Sequence, residues 1–105
     1  MQYAEYRQLK VSDDTVLTPY LDVKDHSRFT IIGRVISPDN GAIAVSIWGI
    51  RQNNISEIRR IDLSNQWSSW EQKNLFSQIR LGLEKTEKPG AQAATEVDIL
   101  IYSSP

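Results

Sequence analysis

One histidine, His26, stands beside carboxylates in Asp22-Val23-Lys24-Asp25-His26. A histidine next to acidic groups can act as a general base or bind a metal. With one His and no Cys, the chain cannot build a His-rich or thiolate zinc site, and it has no Gly-x-Ser-x-Gly nucleophile elbow. The expectation is therefore a solvated turn before a strand, with no catalytic residue, no metal and no cofactor. Asp13, Asp14, Asp22, Asp25 and Asp39 fall at turn positions. Calcium takes loop carboxylates, but no Asp-x-Asp-x-Asp-Gly spacing is present. Capping of turns is the role expected of these side chains.

The aromatic residues carry a different chemistry. Trp67-Ser68-Ser69-Trp70 sets two indoles three residues apart, beside Gln66, Glu71 and Gln72. Flat apolar rings with neighbouring hydrogen-bonding groups suit stacking against a sugar ring. On that reading Trp67, Trp70 and Tyr20 stack on the ligand, and Gln66 and Glu71 supply hydrogen bonds. The competing reading makes one or both indoles plugs at an end of the core, because Trp is highly buried on average. Trp48 sits in an apolar run with Ile50 and is expected in the fold or in an interface.

Strands must position these residues. Helical stripes with caps at both ends are missing, and period-two alternation recurs. Strands are predicted near residues 3–9, 11–17, 28–36, 42–51, 55–63, 74–84 and 97–102. Thr18-Pro19-Tyr20 reads as a turn or extended crossover. Residues 67–73 read as polar and aromatic, with room for a short helical turn. Residues 28–36 and 42–51 flank Ser37-Pro38-Asp39-Asn40-Gly41, a hairpin signal in which Pro38 presets φ and Gly41 supplies a positive φ. Residues 85–95, with Pro89-Gly90, form the longest predicted loop. Seven or eight short strands without intervening helices predict an all-β, antiparallel β-sandwich of jelly-roll or Greek-key topology. Residues 1–105 read as a single domain, with 1–12 an N-terminal arm or edge strand that pairs at home by default.

Alternation sorts the side chains. Phe29, Ile31, Gly33 and Val35 share a face; so do Ile43, Val45 and Ile47; Ile79, Leu81 and Leu83; and Val97, Ile99 and Ile101. These sets form the predicted core. The opposite faces carry Ile32, Ile36, Trp48, Ile50, Leu100 and Tyr102. Such a second apolar face implies either a covering loop or a contact surface.

Composition bounds the remaining options. The 105 residues suffice for one two-layer core, burying roughly 65% of the unfolded surface. Net charge is −1, and no basic stripe would neutralise a run of phosphates, which argues against nucleic acid. No apolar run approaches the ~20 residues of a membrane span, so no membrane insertion is expected. Residues 1–7 lack an apolar signal region. The chain is expected to be made in the cytoplasm, with its final compartment left open.

The segment Thr18-Pro19-Tyr20-Leu21-Asp22-Val23-Lys24-Asp25-His26-Ser27-Arg28-Phe29-Thr30-Ile31 resembles an opening of small jelly-roll domains from microbial and viral surface assemblies. The closing Val97-Asp98-Ile99-Leu100-Ile101-Tyr102 is similar to their last strand. The resemblance covers about a third of the chain. It implies a jelly-roll-like sandwich that works by self-association or ligand binding, and it transfers no catalytic residue.

The first expectation is thus a non-enzymatic structural protein that forms a homo-oligomer or a subunit of a particle, fibre or surface layer. Its contact set would be Ile32, Ile36, Trp48, Ile50, Leu100 and Tyr102. The alternative is a carbohydrate-binding module with a glycan partner, built on Trp67, Trp70, Tyr20, Gln66 and Glu71.

Overall fold

A computed structural model describes residues 2–12, 14–37, 43–86 and 94–105. Among them are nine strands and no helix: β1 (Gln2–Val11), β2 (Val16–Leu17), β3 (Leu21–Asp22), β4 (Arg28–Ser37), β5 (Ile43–Arg51), β6 (Asn54–Leu63), β7 (Ser68–Lys73), β8 (Gln78–Lys85) and β9 (Thr95–Ser104). The first sheet runs β1-β9-β4-β7 and the second β2-β8-β5-β6, with every pairing antiparallel. β3 also pairs β8, through Leu21 opposite Ile79, while β2 places Val16 opposite Leu83. The two short pieces therefore occupy one strand position, broken at Thr18-Pro19-Tyr20, where Pro19 has no N–H to give a ladder. Eight strand positions in two four-stranded layers, in this order, make a jelly roll. Among the described residues, no helix is long and apolar enough to cross a membrane.

The expected hairpin between β4 and β5 does not form. β4 pairs with β7 and β9, and β5 with β6 and β8, so the two strands lie in opposite sheets. Alternation reports which side chains are buried, not which strand is the neighbour. Both segments are rich in β-branched residues because each is an interior strand. The turn read at residues 38–41 lies outside the described residues, as do Asp13, Asp39 and the Pro89-Gly90 pair. A true two-residue hairpin joins β5 to β6. Gln52 and Asn53 there take φ of 52° and 67°, with Arg51 opposite Asn54. Two successive positive φ values define the turn whose twist matches paired strands.

Residues 68–73, read as polar with room for a helical turn, form β7. Their burial alternates strictly, with Trp70 opposite Ile31 on β4. Residues 74–77 are loop rather than the start of a strand. Asn74 explains the break. Its side-chain amide donates to the carbonyls of Val23, His26 and Phe76 at 2.9–3.0 Å, and its Oδ1 accepts from the Phe76 N–H at 2.9 Å. One buried amide thus satisfies backbone groups of two loops. The N-terminal strand pairs at home, as the edge of the first sheet against β9.

The core follows the sequence pattern. Phe29, Ile31 and Val35 of β4 and Val97, Ile99 and Ile101 of β9 face Ile43, Val45 and Ile47 of β5 and Ile79, Leu81 and Leu83 of β8, all buried. Burial of each such side chain contributes roughly 1.5–3 kcal/mol. Gly49 holds one end together by lacking a side chain: a Cβ there would lie 2.6 Å from the Phe76 ring. Phe76 packs in that space against the core.

Candidate ligand-binding groove

The jelly roll separates the residues that the sequence grouped. Ile32 lies opposite Leu100 on the outer face of the first sheet, and two residues along the same strands Thr30 lies opposite Tyr102. Ile36 sits in a β-bulge at the end of β4. Trp48 and Ile50 belong to β5, on the second sheet. All six are half-buried. They line two opposite outer faces, so they do not form one continuous patch. Tyr3, opposite Tyr102 and 54% exposed, extends the Ile32–Leu100 patch.

The aromatic platform likewise does not assemble. Trp70 points inward and packs against the core. Trp67, 44% exposed, lies over the first sheet with the Arg34 guanidinium 4.6 Å and the Arg7 guanidinium 5.7 Å from its ring. Tyr20 lies by the second sheet under Arg80, at 4.3 Å. Gln66 is exposed and its N–H donates to Ser64 Oγ. Glu71 is exposed and ion-paired with Arg28.

His26 is not the solvated turn residue expected. It is half-buried, with Nδ1 hydrogen-bonded to Ser103 Oγ at 2.5 Å. Ser103 is fully buried, so this pair anchors the loop before β4. Asp22 does cap its turn, accepting from the Lys24 N–H at 3.0 Å. Among the described residues, no three His, Cys, Asp or Glu side chains gather to hold a metal.

The concave site lies elsewhere, on the outer face of the second sheet. Three rows of outward residues cross its strands. Arg80, Trp48 and Glu57 form one row on β8, β5 and β6. Leu17, Gly82, Ser46 and Arg60 form the next, and Glu84, Ala44 and Asp62 the third. The middle positions, Gly82, Ser46 and Ala44, are small, and large side chains surround them. The result is a cavity of about 430 Å³, within the size range of ligand sites. Trp48 and the Arg80–Tyr20 stack wall one side. On the other, Arg60 of β6 reaches across β5 to Glu84 of β8 at 2.6 Å and approaches Ser46 Oγ at 3.4 Å. Leu17 and Ile55, 53% and 60% exposed, stand at the two margins, with Thr15 and Glu57 beside them.

Gly82 sets the floor. A Cβ there would lie 3.3 Å from Leu17 Cδ2, a tight approach, and 3.6 Å from Trp48 Nε1, an ordinary contact, so the glycine gives Leu17 room over the strand. Among the described residues the Trp48 N–H donates to no protein acceptor, and the only buried side-chain polar atom without a partner is Thr95 Oγ1. The indole N–H is therefore open to the groove. Of the residues proposed from sequence for a ligand, Tyr20 alone lines this site. The signal that could have found it is the outward series Ala44, Ser46, Trp48 beside Arg80, Gly82, Glu84: small residues next to a tryptophan on what should be a solvated face.

A second concavity, of about 550 Å³, lies along β7 between Ser27, Arg28, Glu71, Gln72 and Lys73. It has no aromatic wall, and Arg28 and Glu71 are paired with each other. Comparison of the chain with known protein families and with curated proteins finds no match.

Proposed function

We propose that this jelly roll is a binding module rather than an enzyme, and that its ligand is a carbohydrate seated in the groove around Trp48. The observation that carries the reading is the groove itself: about 430 Å³ of concave space on an outer sheet face, with an indole in its wall and polar groups around it. A sugar ring presents an apolar face and a fringe of hydroxyls. Trp48 and Tyr20 offer aromatic surface, and the Trp48 N–H, Ser46, Thr15 and Glu57 offer donors and acceptors to hydroxyls. Each arginine in the wall is fixed by neighbours, which limits the ordering cost of binding.

The test is a glycan array followed by calorimetry on the hits. Trp48→Ala should weaken binding by tenfold or more, while Trp67→Ala, on the other sheet, should leave it unchanged. An array without hits, or equal binding by Trp48→Ala, contradicts the reading.

A second reading is self-assembly, and one observation favours it: the patch of Ile32, Leu100 and Tyr102 continuous with exposed Tyr3 on the outer face of the first sheet. It accords with the resemblance of residues 18–31 and 97–102 to the opening and the last strand of small jelly-roll domains from surface assemblies. The two readings use opposite faces and can hold together.

A further inference from the structure

We propose that the sugar held in the groove carries a carboxylate, and that Arg80 receives it. This rests on the glycan reading above and adds the charge of the ligand.

Arg80 is half-buried on β8 and lines the groove. Its guanidinium lies over the Tyr20 ring at 4.3 Å, and its Nε donates to the Thr18 carbonyl at 3.1 Å. These contacts fix the plane of the fork and engage one donor. Among the described residues, no carboxylate pairs with it. The other arginine of the groove differs: Arg60 is held by Glu84 at 2.6 Å. A partly desolvated cation without a counter-ion is disfavoured, and an arriving anion relieves that cost.

The surroundings point the same way. Trp48 is the cross-strand neighbour of Arg80, so its unengaged N–H lies within about one side-chain pair of the fork. Glu57 lies on the far side of Trp48, two strands from Arg80, roughly 10 Å away by strand spacing. It is exposed, and at that separation the high dielectric of water weakens its repulsion. Glu84 is neutralised by Arg60. The planar guanidinium holds a carboxylate through two parallel hydrogen bonds, and because a tetrahedral oxyanion can use the same fork, the sulfated analogue is the control that separates the two. A uronic acid and a sialic acid both present this group.

Calorimetry at low salt decides the matter. The probes are oligosaccharides containing glucuronate or galacturonate, sialyllactose, the carboxyl-reduced counterpart of each, and a sulfated analogue. The carboxylated form should bind about ten- to a hundredfold tighter than its reduced counterpart. That preference should shrink as salt rises, vanish in Arg80→Gln and survive in part in Arg80→Lys. Uronate against sialate identifies the source of the carboxylate. Equal binding of carboxylated and reduced sugars overturns the inference while leaving a neutral glycan as ligand. A stronger response to sulfate than to carboxylate overturns it too. Failure of every sugar removes the glycan reading and this inference with it. The wild-type comparison of paired ligands needs no variant, so a fold defect in Arg80→Gln cannot obscure the outcome.

Discussion

Asp98 shows how one residue organises a region. It is 4% exposed on β9, beside a β-bulge where β1 carries one extra residue between Tyr6 and Leu9. The bulge turns Gln8 to φ 51° and frees its N–H, which donates to Asp98 Oδ1 at 3.0 Å. Arg34 and Arg7 approach Oδ2 at 3.3 and 3.5 Å and also stack on Trp67. Burial opposes ionisation of this carboxyl, but the Gln8 N–H and the two guanidinium groups outweigh it and hold the Asp98 pKa below its ordinary value. A depressed pKa in the folded state stabilises above the unfolded pKa, and that contribution is lost as pH falls through the folded value. Asp98→Asn should therefore destabilise the protein at neutral pH by about 1–3 kcal/mol. The gap from wild type should narrow below pH 4. Urea unfolding at pH 7 and pH 3 measures both. A gap that is unchanged or wider in acid contradicts the account. Trp67, read from sequence as a sugar platform, serves here as the lid of a charged cluster. Sequence could not reveal this, because its partners Arg7 and Arg34 lie far away along the chain.

Between residues and the whole stand the strands. Alternation made the inward faces of β4, β5, β8 and β9 legible, because burial follows side-chain period directly. Pairing was not legible. Pro38 and Gly41 resemble a hairpin turn, yet the strands around them join opposite sheets. The real hairpin turn is Gln52-Asn53, whose residue types signal a loop but not two positive φ values. Such a turn favours Asn followed by Gly. The double change Gln52→Asn with Asn53→Gly should raise stability by about 1 kcal/mol in chemical denaturation, with no effect on the groove, because relief of the two positive φ values outweighs the entropy that glycine adds to the unfolded chain. A loss of stability would mean that the β5–β6 connection is not the turn described. β7 escaped recognition because Trp70 is its one large inward side chain, leaving a polar strand at a sheet edge.

At the scale of the molecule, two outer faces are available for function. The first sheet presents Tyr3, Ile32, Leu100 and Tyr102, and the second a walled groove. Sequence supplied Ile32, Leu100 and Tyr102 of the first face and Trp48 of the second but merged them into one set, since alternation cannot say which sheet a strand joins. If the first face mediates assembly, light scattering should show a mass that rises with concentration, and Ile32→Glu should abolish the rise without unfolding the chain. A concentration-independent monomer removes that reading and leaves the groove untouched. The groove is the central claim, and it is tested most directly by following backbone amide and indole resonances while the best-binding glycan is added. The account predicts the largest shifts at the Trp48 indole N–H and at the amides of Ser46, Arg80 and Gly82, with Trp67 still. Shifts centred on Trp67, or on the Ile32–Leu100 patch, would contradict it.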